Sequence, residues 1–146
     1  MEYIQKLRIK TAMIVYELEK SLGNYIIDNE QIHSITDSSI ESIINREKKR
    51  GNEIQRENFN LIIEASYLDE IFNFAINITE GSSLNESMIE LKQLCSILGI
   101  FEIRNAVSHP NRPFPDCYWF RAATIASDPL IEKLNLHTVR NALNSA

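Results

Sequence analysis

Glycine, proline, cysteine and histidine are all scarce in this chain. Four glycines in 146 residues leave long stretches without the residue that most readily ends a helix. Three of the four prolines lie within residues 110–115, so the rest of the chain is nearly clear of helix breakers. The two cysteines, Cys95 and Cys117, have no paired spacing, which excludes a disulfide framework and fits a reduced, cytoplasmic protein. The three histidines, His33, His109 and His137, are too far apart in sequence to suggest a metal cluster, and no metal or other cofactor is expected. No apolar run approaches membrane-spanning length. Residues Met1-Glu2-Tyr3-Ile4-Gln5-Lys6 hold no apolar signal core, so neither a membrane partner nor secretion is expected.

What is present is ordinary for a globular protein: 44% hydrophobic and 24% charged residues, with length for one domain over 1–146. The net charge of -5 argues against a protein that coats nucleic acid with its whole surface. The charge is uneven. Residues 1–100 carry 10 basic against 16 acidic side chains, whereas residues 101–146 carry 5 against 4. The C-terminal end is therefore the end compatible with an anionic substrate.

Helical periodicity runs through most of the chain. Leu7, Ile14, Leu18 and Leu22 predict a helix over 2–27, with a solvated Lys/Glu face and with Gly23-Asn24 as a point where it bends or stops. Residues 28–37 are polar and read as a loop, and His33 within it as a surface histidine. Ser38-Ser39-Ile40-Glu41 fits a capping box opening a helix over 39–50. Arg46-Glu47-Lys48-Lys49-Arg50 before Gly51 is favoured as helix-stop chemistry, with a basic patch for an RNA backbone as the other reading. Ile54, Phe59, Ile62, Leu68, Ile71, Phe72 and Ile78 predict one helix over 53–78, its aromatic residues in the core.

A second capping box, Ser83-Leu84-Asn85-Glu86, opens a helix expected to run unbroken to about Ser108. Within it Ile97, Leu98, Ile100, Phe101 and Ile103 point nearly all round the axis, which predicts burial on most sides, in a bundle centre or a subunit interface. Gly99 in that run would permit close helix approach. Residues 110–117 read as a stiff loop, Tyr118–Ser127 as a helix, and Asp128-Pro129 as the start of a last helix reaching about Leu143.

The end of the long apolar helix carries the chemistry. Ile103-Arg104-Asn105-Ala106-Val107-Ser108-His109-Pro110 holds an arginine, a polar amide beside it and a histidine five positions on. Arginine offers a planar fork of donors that matches a phosphate. Histidine takes and returns a proton near neutral pH. Arg104 projects from an otherwise apolar sector, where a charge needs a partner or a ligand. His109 precedes a proline and is pushed out of helical geometry. The two side chains reach one phosphate only if the helix end bends, or if a symmetric partner supplies a second copy of the site.

Arg104-Asn105 followed by His109, at the end of a long helix in an all-helical chain, resembles the HEPN superfamily. That family's signature is an arginine, usually a polar neighbour, and a histidine after four to six intervening positions, here four. Tyr16-Glu17-Leu18-Glu19-Lys20-Ser21-Leu22 is similar to the family's opening helix, and Glu90-Leu91-Lys92-Gln93-Leu94 to Asn105 to its motif-bearing helix; the likeness covers about residues 10–110. The resemblance implies an all-α bundle of about four to six helices that forms a homodimer through the motif-bearing helix. It implies a metal-independent endoribonuclease acting on RNA in toxin–antitoxin, anti-phage or RNA-processing settings. Arg104 would hold the scissile phosphate and stabilise its developing charge. His109 would act as base on the ribose 2′-OH or acid on the leaving oxygen, giving a 2′,3′-cyclic phosphate and a 5′-OH. Asn105, Ser108, Asn111 and Arg112 are the flanking candidates for holding substrate. Asn111 stands where some family toxins carry a tyrosine that a partner antitoxin modifies, so that mode of control is not expected. Relatives of this kind often sit at the N-terminus of larger ATPase, helicase or defence proteins, so further domains or a regulator are expected partners. The other reading is a non-catalytic module of the same fold, which dimerises or binds RNA or protein.

Overall fold

A computed structural model describes residues 2–29, 35, 38–109, 111–133, 139 and 141. The fold is all-α. Eight helices occur among the described residues, with no strand: α1 (Glu2–Ile27), α2 (Ser39–Lys49), α3 (Phe59–Glu64), α4 (Leu68–Ile78), α5 (Leu84–Ile97), α6 (Ile100–Ser108), α7 (Cys117–Ser127) and α8 (Pro129–Lys133). The excess over the expected four to six arises because two of the anticipated long helices are each broken in two. No helix among the described residues is long and apolar enough to cross a membrane. The chain divides into two compact units, Met1–Ser21 with Glu90–Ala146, and Leu22–Ile89.

In the first unit, α1 buries Leu7, Ile14, Val15 and Leu18, the stripe that the periodicity marks. Burying each such side chain stabilises the fold by about 1.5–3 kcal/mol. α5 adds Leu91 and Cys95, α6 adds Ile100, Ile103 and Ala106, and α7 adds Ala122, Ile125 and Ala126. Helix α6 packs on α7, and α7 on α8. The last of these helices begins as expected: Asp128 is extended at ψ 136°, Pro129 takes the first helical position, and the Ile131 N–H donates to the Asp128 carbonyl at 3.0 Å. The remainder of the helix expected to reach Leu143 lies outside the continuously described residues, as do His33 and the loop around it.

The motif-bearing helix is not continuous. It stops at Ile97 and restarts at Ile100, because Gly99 adopts the left-handed region at φ 68°, ψ 28°. A residue without Cβ takes that conformation at little cost. The break changes the phase of the apolar pattern. Ile97 is 80% exposed while Ile100 and Ile103 are buried, so within the chain the 97–103 segment is not buried on most sides and is not the bundle centre that one reading of its pattern expects.

In the second unit, α1 passes through Gly23 without stopping and buries Leu22 and Ile26. Helix α2 packs on α3 and ends as expected: Gly51 is left-handed at φ 88°, its N–H donates to the Lys48 carbonyl at 3.0 Å, and the Asn52 N–H to the Glu47 carbonyl at 2.9 Å. The start of α2 differs from expectation. Ser38 is helical in geometry and makes no side-chain cap bond, and the Glu41 carboxylate pairs with Arg56. Likewise at α5 the Leu84 N–H is met by the hydroxyl of Ser82, one residue before the serine expected to cap it.

The expected 53–78 helix begins only at Phe59, where the Asn58 side chain accepts from the Leu61 N–H, and it breaks between Glu64 and Leu68. An ion-pair network occupies the break. Arg46 donates to both carboxylate oxygens of Glu70, at 2.9 and 3.1 Å, and to the Ala65 carbonyl at 2.9 Å. Its guanidinium lies 3.9 Å from the centre of the Tyr67 ring. The Tyr67 N–H in turn donates to Glu70 at 2.8 Å, which restarts the helix as α4. The hydrogen bond to Glu70 outweighs partial burial and raises the Arg46 pKa above the ordinary arginine value. The cation run 46–50 is thus partly consumed in structure: Arg50 also donates to the Tyr67 hydroxyl at 3.0 Å.

Candidate functional site

The motif residues all lie on α6 or just beyond it. Arg104 is in the middle of the helix, and its side chain keeps 31% of its surface exposed. Its Nη2 donates to Glu19 Oε1 of α1 at 3.3 Å. Asn105 is exposed on the next position. Ser108 closes the helix, with its hydroxyl donating to the Arg104 carbonyl at 2.9 Å. That bond joins the two ends of the last turn.

His109 leaves the helix at φ −120°, ψ 100°, as the following proline dictates, and is exposed. Five helical positions rotate a side chain by about 500°, or about 140° in projection. A regular helix would therefore set Arg104 and His109 on different faces, and the exit after Ser108 is what frees His109 from that constraint. Asn111 and Arg112 are exposed in the loop that follows, and the Arg112 N–H donates to the His109 carbonyl at 3.0 Å.

That loop is tied down by a residue the sequence did not point to. Arg8, on α1, directs Nη2 to the carbonyls of Ala106 at 3.4 Å, His109 at 3.3 Å and Arg112 at 2.5 Å. A cation at the last carbonyls of a helix also complements its dipole. The Arg8 guanidinium lies 5.6 Å from the centre of the Phe114 ring, which is buried and meets Tyr118 edge-on at 5.6 Å. Arg8 and Glu19 are eleven positions apart, about 20° in helical projection, so both stand on one edge of α1. Glu19 reaches the middle of α6 and Arg8 its end, so the two helices run antiparallel. A charged pair flanking an apolar stripe was the available signal, but nothing local says which carbonyls or cations it meets.

Cys95 is not placed to act as a nucleophile. Cys95 is buried in α5, and burial, with the Asp128 carboxylate second, pushes its thiol up to about 12. Cys117 is exposed at the start of α7. Among the described residues no group of three or more His, Cys, Asp or Glu is placed to hold a metal ion. No family model, curated protein or solved structure matches the chain.

Proposed function

We propose that this protein is a metal-independent endoribonuclease of the HEPN type, in which Arg104 and His109 act on the scissile phosphodiester. The observation that carries the reading is the way α6 ends. A part-exposed arginine is anchored on the last full turns, and an exposed histidine follows directly on a backbone that Arg8 fastens at two carbonyls of the 109–112 turn. Catalysis by positioned groups needs side chains fixed to within fractions of an ångström, and a fastened turn favours that. Arg104 contributes charge stabilisation at the phosphate oxygens. His109 removes the 2′-OH proton or protonates the 5′-oxygen, so the ribose hydroxyl is the nucleophile and RNA the substrate.

Because Arg104 lies in the middle of α6 and His109 beyond its end, the reading includes a homodimer whose two motifs line one cleft. It also places the protein in the cytoplasm, in a toxin, defence or RNA-processing setting, with further domains or a regulator as partners. Cleavage of RNA in excess EDTA, lost in both Arg104→Ala and His109→Ala, is the expected outcome. Full activity from a protein that light scattering finds monomeric at micromolar concentration would contradict the shared cleft.

One observation favours a second reading. Arg104 is engaged by Glu19, as an arginine with a purely structural role would be. In that case the protein is a non-catalytic module of the same fold that dimerises or binds RNA or protein, and it binds without cutting.

A further inference from the structure

Among the described residues, an arginine–glutamate pair joins two helices in each of the two units, and the two pairs are built differently. Arg46 grips both oxygens of Glu70, bonds a backbone carbonyl and lies against the Tyr67 ring, while Glu70 also caps the Tyr67 N–H. The side chains keep 21% and 11% of their surface exposed. This is a multiply bonded network that spans the break between α3 and α4. Arg104 meets Glu19 through one nitrogen and one oxygen at 3.3 Å, with 31% and 19% exposed. The contact is longer than a well-made charge-assisted hydrogen bond, is not bidentate, and is open to water. A pair of that kind adds little to stability and exchanges readily.

The anion that would exchange with Glu19 is defined by the arginine. A guanidinium presents the same parallel N–H donors to a carboxylate and to a phosphodiester. Resting on the ribonuclease reading of this site, we propose that Glu19 is a displaceable stand-in for an RNA phosphate: its carboxylate holds Arg104 in place in the free protein and yields when the scissile phosphate arrives. Glu19 is thus a positioning residue that also sets a threshold. A polyanion such as single-stranded RNA, with several phosphates to contribute, overcomes the local negative charge more easily than a mononucleotide does.

The test uses the His109→Ala background, so that RNA is bound and not cut. Binding of a fluorescein-labelled single-stranded RNA oligonucleotide is measured by anisotropy in EDTA. Glu19→Gln keeps the side-chain shape and removes the charge. It is expected to tighten binding about five-fold, equivalent to about 1 kcal/mol, and the gain should vanish once Arg104→Ala is added. Glu19→Ala carries the same expectation and serves if Glu19→Gln fails to fold. Unchanged or weaker binding by the Glu19 variants, while Arg104→Ala still weakens the parent, overturns the inference and leaves the ribonuclease reading standing. If neither Glu19 variant folds, Glu19 is structural and the inference falls. If Arg104→Ala leaves RNA binding untouched, or the parent binds no RNA, the reading of the site fails and the inference with it.

Discussion

Arg8 reaches across 104 positions of sequence to the carbonyl of Arg112, at 2.5 Å, and so holds the turn that follows the motif-bearing helix. The same guanidinium meets the His109 carbonyl. Replacing Arg8 with alanine removes a charged donor from these acceptors and leaves them to water. The expected loss of stability is about 1 kcal/mol, the scale of a part-exposed hydrogen bond to a charged group. The more telling expectation is local. Amide exchange at Arg112, whose N–H bonds the His109 carbonyl, should accelerate in Arg8→Ala well beyond that of α4 amides. Uniform acceleration throughout the chain would mean that Arg8 supports the fold generally and not this turn.

Gly99 sits at φ 68° between α5 and α6. An alanine there pays the left-handed penalty of about 1–2 kcal/mol. A built Cβ would also lie 3.4 Å from Arg121 Nη1, ordinary contact, so the cost is conformational and not steric. Gly99→Ala should lower the unfolding free energy, measured by denaturant titration, by that amount. Gly51→Ala, at φ 88° with open space around it, should cost a similar amount. A neutral Gly99→Ala would show that the two helices can fuse into the continuous helix the sequence suggests.

The two cysteines should differ sharply toward a thiol reagent. Cys117 is exposed and should react at once in the native protein, whereas Cys95 should react only on unfolding. The Cys95 pKa is raised from 9.0 to about 12 in the fold, so the folded state holds its proton more tightly than the unfolded state does. Its contribution to stability is therefore complete below about pH 9 and is lost as pH rises from there toward 12. Two rapid thiol equivalents at neutral pH would contradict the packing around α5.

Breaking the Arg46–Glu70 network should be costlier than breaking Arg104–Glu19. Glu70 accepts from Arg46 twice and from the Tyr67 N–H, so its loss strands several donors at a part-buried site. Glu70→Ala should cost about 2 kcal/mol, and Glu19→Ala well under half of that. Thermal or denaturant unfolding of the two variants compares them directly. Equal losses would remove the contrast between a structural and an exchangeable pair.

The all-helical character was legible because scarce glycine and proline leave apolar periodicity to speak for itself, and α1, α2 and α7 lie close to where that periodicity puts them. The two breaks were not legible, for different reasons. At Gly99 the apolar spacing continues across the left-handed residue, so the pattern conceals the kink. At Ala65–Tyr67 the break is held by Arg46, some twenty positions earlier in the chain, which no local window contains. The site shows the same division. The order of Arg104, Ser108 and His109 along α6 and its exit follows from helix and proline rules. Arg8 and Glu19 meet them through separations of 85 to 104 positions, set only by the packing of α1 on α6.

On the proposed reading, Arg104 and His109 cleave RNA through the ribose 2′-OH. The most direct test incubates the purified protein in excess EDTA with an RNA oligonucleotide and with its all-deoxy counterpart, and identifies the ends produced. The expected result is cleavage of the RNA alone, with 2′,3′-cyclic phosphate and 5′-OH ends, abolished by His109→Ala and by Arg104→Ala. Cleavage of the deoxy strand, ends bearing a 5′-phosphate, or undiminished cutting by folded His109→Ala would contradict it.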